Sequence, residues 1–301
     1  MMSVPDLPDL DALAGAVGVP GFVLTRYVFQ ADRYYRTFRL RKRSGRGYRQ
    51  IAAPSRELKG LQRWVAAVIL RERDLPDNCT AFRRGSSITA NARPHANRGF
   101  VFNADVKDLY PSITLARVIG LFEAMGYPPL VAFALGKLTT YKRRLPQGAP
   151  SSPHIANLIC RKLDRRLAGY CQAAGWTYTR YCDDITISGP GRMGGGPSKV
   201  REIVESCGFR LNHRKTRVMR RNSRQTVTGL VVNTEVNLPR ERRKAWRALF
   251  HQAKTDPGAF RHRAAELEGY AAFLHMVRPD DPALPRYRRT VAALKASPPH
   301  T

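Results

Sequence analysis

The sequence predicts an α+β fold, and three observations carry that expectation. An apolar strand, Phe100-Val101-Phe102-Asn103-Ala104-Asp105, ends on a carboxylate. A buried hairpin runs from the aromatic, Thr-rich stretch Trp176 to Cys182 into Ile185-Thr186-Ile187-Ser188, with Asp183-Asp184 at its tip. Its outgoing arm alternates apolar with hydroxyl, as a half-buried strand does. The segments around these strands repeat their apolar residues at helical spacing instead.

Taken in order, residues 10–35 read as helix. Tyr35 to Pro54 then forms a basic hairpin around Arg43-Ser44-Gly45-Arg46-Gly47. Leu61, Trp64, Val65, Val68 and Ile69 share one helical face. After the strand to Asp105, helices are expected at 114–125 and 128–140. Pro146 to Pro153 breaks structure, and Ile155, Leu158, Ile159, Leu163 and Leu167 mark another helix. Beyond the hairpin, Gly189-Pro190-Gly191-Arg192-Met193-Gly194 spells G-x-G-x-x-G between a strand and a helix. The proline and the missing downstream acid argue for a flexible turn over a dinucleotide fingerprint. A helix from about Ser198, with Val200, Ile203, Val204 and Cys207 on one face, stops at Gly208. From Arg240 the chain turns to basic helices. Trp246, Leu249, Phe250 and Ala253 form one apolar stripe, and Leu267, Tyr270, Ala271 and Leu274 a second.

At 301 residues the chain can bury a good core. Lys and Arg number 52 against 23 Asp and Glu, a net charge of +29. So large an unbalanced excess points to a polyanionic partner, nucleic acid first among them. No apolar run approaches the roughly 18 residues of a spanning helix, and Met1 to Asp6 lacks the basic start and apolar run of a signal peptide. No membrane role is expected. Five scattered cysteines without a Cys-x-x-Cys argue against a disulfide framework or a zinc site. A cytoplasmic location with reduced thiols follows as the expectation.

Adjacent aspartates on a tight turn are commonplace, because Asp suits turns. Asp105 as a third carboxylate changes the reading. Unit charges about 4 Å apart repel by about 4 kcal/mol at an effective dielectric near 20, so gathering three asks for cations among them. Oxygen ligands with open positions suit Mg²⁺ bridging substrate phosphates, and a metal pair can clamp an in-line phosphoryl displacement.

Five blocks, in order, resemble the reverse transcriptases. They are Arg49-Gln50-Ile51-Ala52-Ala53-Pro54, Asp105 to Ile113, Leu145-Pro146-Gln147-Gly148-Ala149-Pro150-Ser151-Ser152-Pro153, Tyr181-Cys182-Asp183-Asp184, and Gly208-Phe209 with Lys215-Thr216. Two further signatures resemble the bacterial retron branch: Asn91-Ala92-Arg93-Pro94-His95 and Val227-Thr228-Gly229. The similarity spans about 35 to 280. It implies a right-hand polymerase fold: N-terminal helices and fingers over 1–98, a palm over 99–235 with finger helices inserted at about 114–150, and a helical thumb and C-terminal tail over 236–301. Cys182, where many retron enzymes have alanine, is a minor departure.

The resemblance implies roles residue by residue. Asp105, Asp183 and Asp184 would be catalytic and, with the Val106 carbonyl, would hold two Mg²⁺ ions, or Mn²⁺ in their place. Lys42 and Arg49 would meet the triphosphate, Arg49 the better because its planar fork suits phosphate. The amides of Asp108 and Leu109 would touch it too. Tyr110 would lie under the sugar and reject a 2′-hydroxyl. Gln147-Gly148 would sit by the nascent pair, where a residue without a side chain permits close approach. Lys215 would protonate the leaving pyrophosphate. Asn91, His95, Val227, Thr228 and Gly229 would recognise RNA, although a lone His is more often a packing residue. Arg240, Arg243, Lys244 and Arg247 would grip the duplex backbone.

The implied partners are deoxynucleoside triphosphates, a cognate noncoding RNA (msr-msd) and its cDNA product, a separate effector protein, and a host RNase H that removes template. The product would be a branched RNA–DNA hybrid (msDNA), primed from a 2′-hydroxyl and serving antiphage defence. Other readings stay open: a group II intron-like or defence-associated reverse transcriptase, a catalytically silent RNA-binding scaffold, and a palm-type nucleotide cyclase. The short stretch after the second thumb helix speaks against the intron reading. The retained acids speak against the scaffold, and the Gln-Gly block and basic thumb against the cyclase.

Overall fold

The computed structural model describes residues 5–42, 47–71 and 73–296. The segment expected as one helix over 10–35 is two, α1 (Leu10–Val17) and α2 (Gly21–Gln30). Asp9 caps the first by accepting from the Ala12 amide, and Gly18, left-handed at φ 77°, ends it two residues before Pro20. Strands β1 (Tyr35–Arg41) and β2 (Tyr48–Pro54) pair antiparallel from Tyr35 with Pro54 to Arg41 with Tyr48. The expected turn residues 43–46 lie outside the described residues. Helix α3 (Arg56–Trp64) starts under a Ser55 cap and runs on as a π-turn over Val65–Leu70. A short α4 (Ile88–Ala92) leads to β3 (Phe100–Asp105).

Helices α5 (Leu109–Ser112), α6 (Leu115–Glu123) and α7 (Pro129–Thr139) follow. The helix expected around Leu158 is again two, α8 (Ser152–Ile159) and α9 (Arg161–Ala173), which meet at Cys160. The acid-tipped hairpin is β4 (Thr177–Tyr181) and β5 (Asp184–Gly189). The Gly-rich stretch after it is a turn with left-handed Gly191 and Gly194, leading into α10 (Gly196–Ser206). Strand β6 (Arg217–Arg220) precedes the small pair β7 (Thr226–Val227) and β8 (Leu230–Val231). Their two-residue turn has positive φ at both Thr228 and Gly229, which matches the twist of an antiparallel pair. Helices α11 (Arg240–Thr255), α12 (Pro257–Phe260), α13 (Ala264–Val277) and α14 (Leu284–Ala296) complete the chain. The stretch expected as a tail is largely that last helix, which buries Tyr287 in a stack on Phe250.

The central sheet is antiparallel in the order β4-β5-β3-β6. Alternation along β3 divides its apolar residues between two cores. Phe100 and Phe102 join Leu135, Leu163, Ile185 and Val200, whereas Val101 joins Val227, Leu230, Phe250 and Leu274. The second core also takes Ala92, so it runs across the boundaries expected at 98 and 235. Strand β5 is buried on both faces, hydroxyls included, rather than half-buried. His95 covers the second face and satisfies Ser188 there. Among the described residues no single helix is long and apolar enough to cross a membrane.

Candidate active site

Strand pairing puts Asp105 opposite Asp184, at the end of β3 and the start of β5. Asp183 sits in the turn between β4 and β5, next to Cys182, a left-handed residue at φ 59°. The Val106 amide donates to the Asp183 carbonyl at 2.8 Å and so ties that turn to the end of β3. One carboxylate oxygen from each of Asp105, Asp183 and Asp184 then lies within 4.8 Å of the others. Crowding and lost hydration show in their ionisation. Burial and then the charge of Asp105 push the Asp183 carboxyl up. Burial, then Asp183 and Asp105, push Asp184 up to about 6. Lys215 donates to Asp105 at 2.9 Å and Asn212 donates to the same carboxylate at 3.2 Å. The hydrogen bond and attraction from Asp105 outweigh partial burial and raise the Lys215 ammonium. Three such carboxylates could hold a divalent cation, and carboxylate oxygens are the donor set a hard cation takes.

Two clefts meet at this cluster. One, of about 770 Å³, is lined by Lys42, Arg49, Asp108, Leu109, Tyr110, Gln147 and Lys215, with Asp105, Val106 and Asp183. The other, of about 640 Å³ on the β6 side, is lined by Asp105, Asp184, Arg214, Arg217, Arg224, Thr228 and Gly229. Tyr110 packs its ring beside the Cys182–Asp183 turn, its hydroxyl 3.2 Å from the Cys182 sulfur. Gly148 lies apart from the first cleft's lining. Its φ of 126° and the 2.9 Å that would separate an added Cβ from the Ala52 carbonyl explain the glycine. The close approach it permits is to β2, which its neighbour Gln147 also meets through the Ala52 amide at 2.9 Å. Gly148 itself is exposed, beside Gln147 in the cleft lining.

Three residues expected to meet RNA are buried. Asn91, His95 and Val227 each expose 0% of their surface. The His95 ring bridges Ser188 at 2.7 Å and Thr179 at 2.8 Å, one nitrogen donating and the other accepting. Asn91 accepts from the Thr80 hydroxyl at 2.6 Å. The Thr228 hydroxyl donates to the carbonyl of Ile88, at the start of the helix α4 that carries Asn91. Direct RNA contact by Asn91, His95 and Val227 is thus corrected to a packing role, and Thr228 and Gly229 are left facing the cleft. On α11, Arg240, Lys244 and Arg247 are exposed. Arg243 instead pairs with buried Asp281 at 2.6 Å and with Asn237, bracing α11 against the turn before α14.

Burial holds the His95 ring neutral, with a pKa lowered to about 3. Its folded value lies below the unfolded one, near 6.5, so the unfolded chain binds the extra proton. Stability from this group is full above pH 6.5 and declines as pH falls from there toward 3. The slope is at most about 1.4 kcal/mol per pH unit. His95→Ala is expected to cost about 2–3 kcal/mol by orphaning two hydroxyls and opening a cavity. It is also expected to flatten that slope in urea melts between pH 7 and pH 4.5. Synthesis per folded molecule should fall equally on generic and native RNA. A selective loss on native RNA would restore a recognition role.

Sequence reasoning missed Arg180, Asp164, Asn157 and Phe82. The first three form a buried network behind the catalytic turn. Phe82 lines the first cleft, half-exposed and left-handed at φ 55°, a conformation an aromatic residue rarely holds. Nothing in residue spacing marks either feature.

The family model for reverse transcriptase (RNA-dependent DNA polymerase) matches residues 40–243. The retron Mx65 reverse transcriptase of Myxococcus xanthus is 40% identical over 294 residues, covering 89% of this chain and 68% of that protein. The retron Ec86 reverse transcriptase of Escherichia coli is 36% identical, covering 92% and 86%. The retron Mx162 enzyme of Myxococcus xanthus is also 36% identical, covering 91% and 65%. Among solved structures, telomerase from Candida albicans with a fragment of telomeric RNA aligns with a TM-score of 0.51. It shares 11% identity and covers 91% of this chain and 65% of that one, a likeness of fold alone. The sequence matches decide the assignment: the chain belongs to the bacterial retron-type reverse transcriptases, RNA-directed DNA polymerases.

Proposed function

We propose that this polymerase copies part of a structured noncoding RNA partner (msr-msd) into DNA that stays joined to the RNA as msDNA. The observation that carries the reading is the carboxylate triad, within 4.8 Å, at the junction of two basic clefts. Asp105, Asp183 and Asp184 would hold two Mg²⁺ ions, or Mn²⁺ in their place, with the Val106 carbonyl beside them. Bound there, the ions supply Lewis acidity to the primer hydroxyl and charge neutralisation to the triphosphate.

The chain's own residues would do the positioning that phosphoryl transfer mainly asks for. Lys42 and Arg49 flank the cleft where the triphosphate would lie. The chain turns sharply at left-handed Asp108 to start α5 at Leu109 beside the same cleft, so early helix amides are available to anionic oxygens. Gln147 lines the site and Tyr110 bounds the sugar. Lys215, paired with Asp105 in the structure, would give up a proton to pyrophosphate. Arg214, Arg217 and Arg224, with Thr228 and Gly229, would hold the primer end, and Arg240, Lys244 and Arg247 the duplex backbone. A separate effector, template removal by a host RNase H and a part in antiphage defence accompany this reading, as does priming from an RNA 2′-hydroxyl.

Sequencing the nucleic acid that copurifies with the full chain tests it. The expected result is one RNA species joined through a branch to its own cDNA, with DNA synthesis on it dependent on Mg²⁺ or Mn²⁺. A heterogeneous RNA population without linked DNA would overturn the retron-product reading while leaving the polymerase intact.

A further inference from the structure

Arg180 is wholly buried, one strand residue before the Tyr-Cys-Asp-Asp turn. Its Nε and Nη2 donate to the two oxygens of Asp164 on α9, each at 2.7 Å. Nη1 donates to the Cys182 carbonyl at 2.9 Å and to Asn157 Oδ1 on α8 at 3.1 Å, and Nη2 reaches the Cys79 sulfur at 3.2 Å. Asp164 is equally buried and also accepts from the Tyr178 hydroxyl at 2.7 Å. The loop from Cys79 hangs on the same assembly. Thr80 donates its amide to the Arg180 carbonyl at 2.9 Å, and Asn157 Nδ2 donates to the Ala81 carbonyl at 2.8 Å. The next residue along that loop is Phe82, in the cleft wall.

Stability alone is a poor account of this arrangement. Desolvating two charges costs nearly as much as their attraction returns, and well-packed apolar replacements of buried pairs are often at least as stable. What an apolar set cannot reproduce is a rigid fork with five directed donors. One of those donors goes to the carbonyl of Cys182, the left-handed residue whose next peptide carries Asp183. Rotation of that peptide would swing the Asp183 carboxylate away from Asp105. The Val106 amide holds the following peptide from the β3 side, through the Asp183 carbonyl, and Arg180 holds this one from behind.

We propose that Arg180, held by Asp164, is a positioning residue for catalysis: its guanidinium fixes the Cys182–Asp183 peptide and thereby aims the Asp183 carboxylate at the metal-binding cluster. The inference rests on the assignment of Asp183 as a ligand. It adds that a wholly buried ion pair, touching neither substrate nor ion, sets the geometry of that ligand.

The test uses the full chain and an annealed RNA template with a DNA primer, with rates normalised to active molecules by the single-nucleotide burst. Three variants are compared with wild type: Arg180→Met, Arg180→Lys, and Arg180→Met combined with Asp164→Leu and Tyr178→Phe. Arg180→Met strands a buried carboxylate and should melt well below wild type. The triple variant removes the stranded groups and should recover much of that loss. Its kcat should nonetheless stay down by about 10- to 100-fold, the scale set by roughly 1 Å of misplacement. Its half-saturating Mg²⁺ should also rise several-fold. Arg180→Lys keeps the charge against Asp164 but lacks the fork, and should show the same rise in Mg²⁺ requirement and fall in kcat. Return of wild-type kcat and Mg²⁺ midpoint in the triple variant would make the pair a structural tie and overturn the proposal. Should that variant not fold, wild-type values in Arg180→Lys would overturn it equally. Asp183→Asn is run in parallel. If it stays active, the ligand assignment fails; if it is dead while the Arg180 variants are unimpaired, only the positioning inference fails.

Discussion

Asp183→Asn and Asp105→Asn are each expected to slow nucleotide addition by about a thousandfold or more. A bound divalent cation supplies several kcal/mol to the transition state, and each ~1.4 kcal/mol is a factor of ten in rate. Asn keeps the shape of Asp and removes the charge that a cation needs. The fold should not suffer. Burial and Asp105 already push the Asp183 carboxyl up, which means that the ionised form is strained by its surroundings. Removing one charge relieves that repulsion, so the melting temperature in metal-free buffer should be unchanged or higher. Asp105→Asn gives up the Lys215 pair, but Lys215 is 55% exposed and the loss is small. RNA binding should persist, because it draws on a surface with a net charge of +29. Retained metal-dependent synthesis in either variant, at a wild-type rate, would falsify the assignment of these carboxylates.

The parts of this site that follow chain periodicity were open to sequence reading. A run such as Phe100 to Ala104 reads as a strand, and a strand ending at Asp105 places that acid at one end of the sheet. A tight hairpin must then present Asp183 and Asp184 at the same height, and the pairing of Asp105 with Asp184 is what brings them together. The helix breaks were harder. Cys160, where α8 and α9 part, carries no breaker signal. Gly18 before Pro20 did carry a stop signal, one outweighed by the apolar periodicity on either side.

Side chains whose role depends on distant partners were hidden. Arg180 lies in a Thr- and Tyr-rich strand, where an arginine reads as a solvent-facing residue. Its acid is 16 residues earlier on a helix, and no local pattern links them. Arg243 looks like one of six lysines and arginines on its helix, until Asp281 is found buried against it. His95 and Asn91 were visible as a signature, but a signature does not say whether a residue faces water. In each case the deciding fact is burial, which belongs to the assembled fold.

Tyr110→Ala is expected to lower the preference for deoxyribonucleotides over ribonucleotides by roughly 10- to 100-fold in kcat/KM. The ring lies in the cleft beside the catalytic turn, packed against the core on one side and bounding the substrate space on the other. Forcing a hydroxyl into space that a rigid ring already fills costs about 1–3 kcal/mol, which sets the size of the effect. The alanine variant should gain ribonucleotide addition more than it loses deoxyribonucleotide addition, since only the former relieves a clash. Tyr110→Phe separates the ring from its hydroxyl. That variant loses the contact to the Cys182 sulfur yet keeps the wall, and should discriminate as the parent does. Single-nucleotide incorporation with each pair of substrates, normalised to active enzyme, gives the ratio directly. If active Tyr110→Ala keeps the parent's ratio, the ring serves only to pack the catalytic turn against α5, and discrimination must come from elsewhere in the cleft.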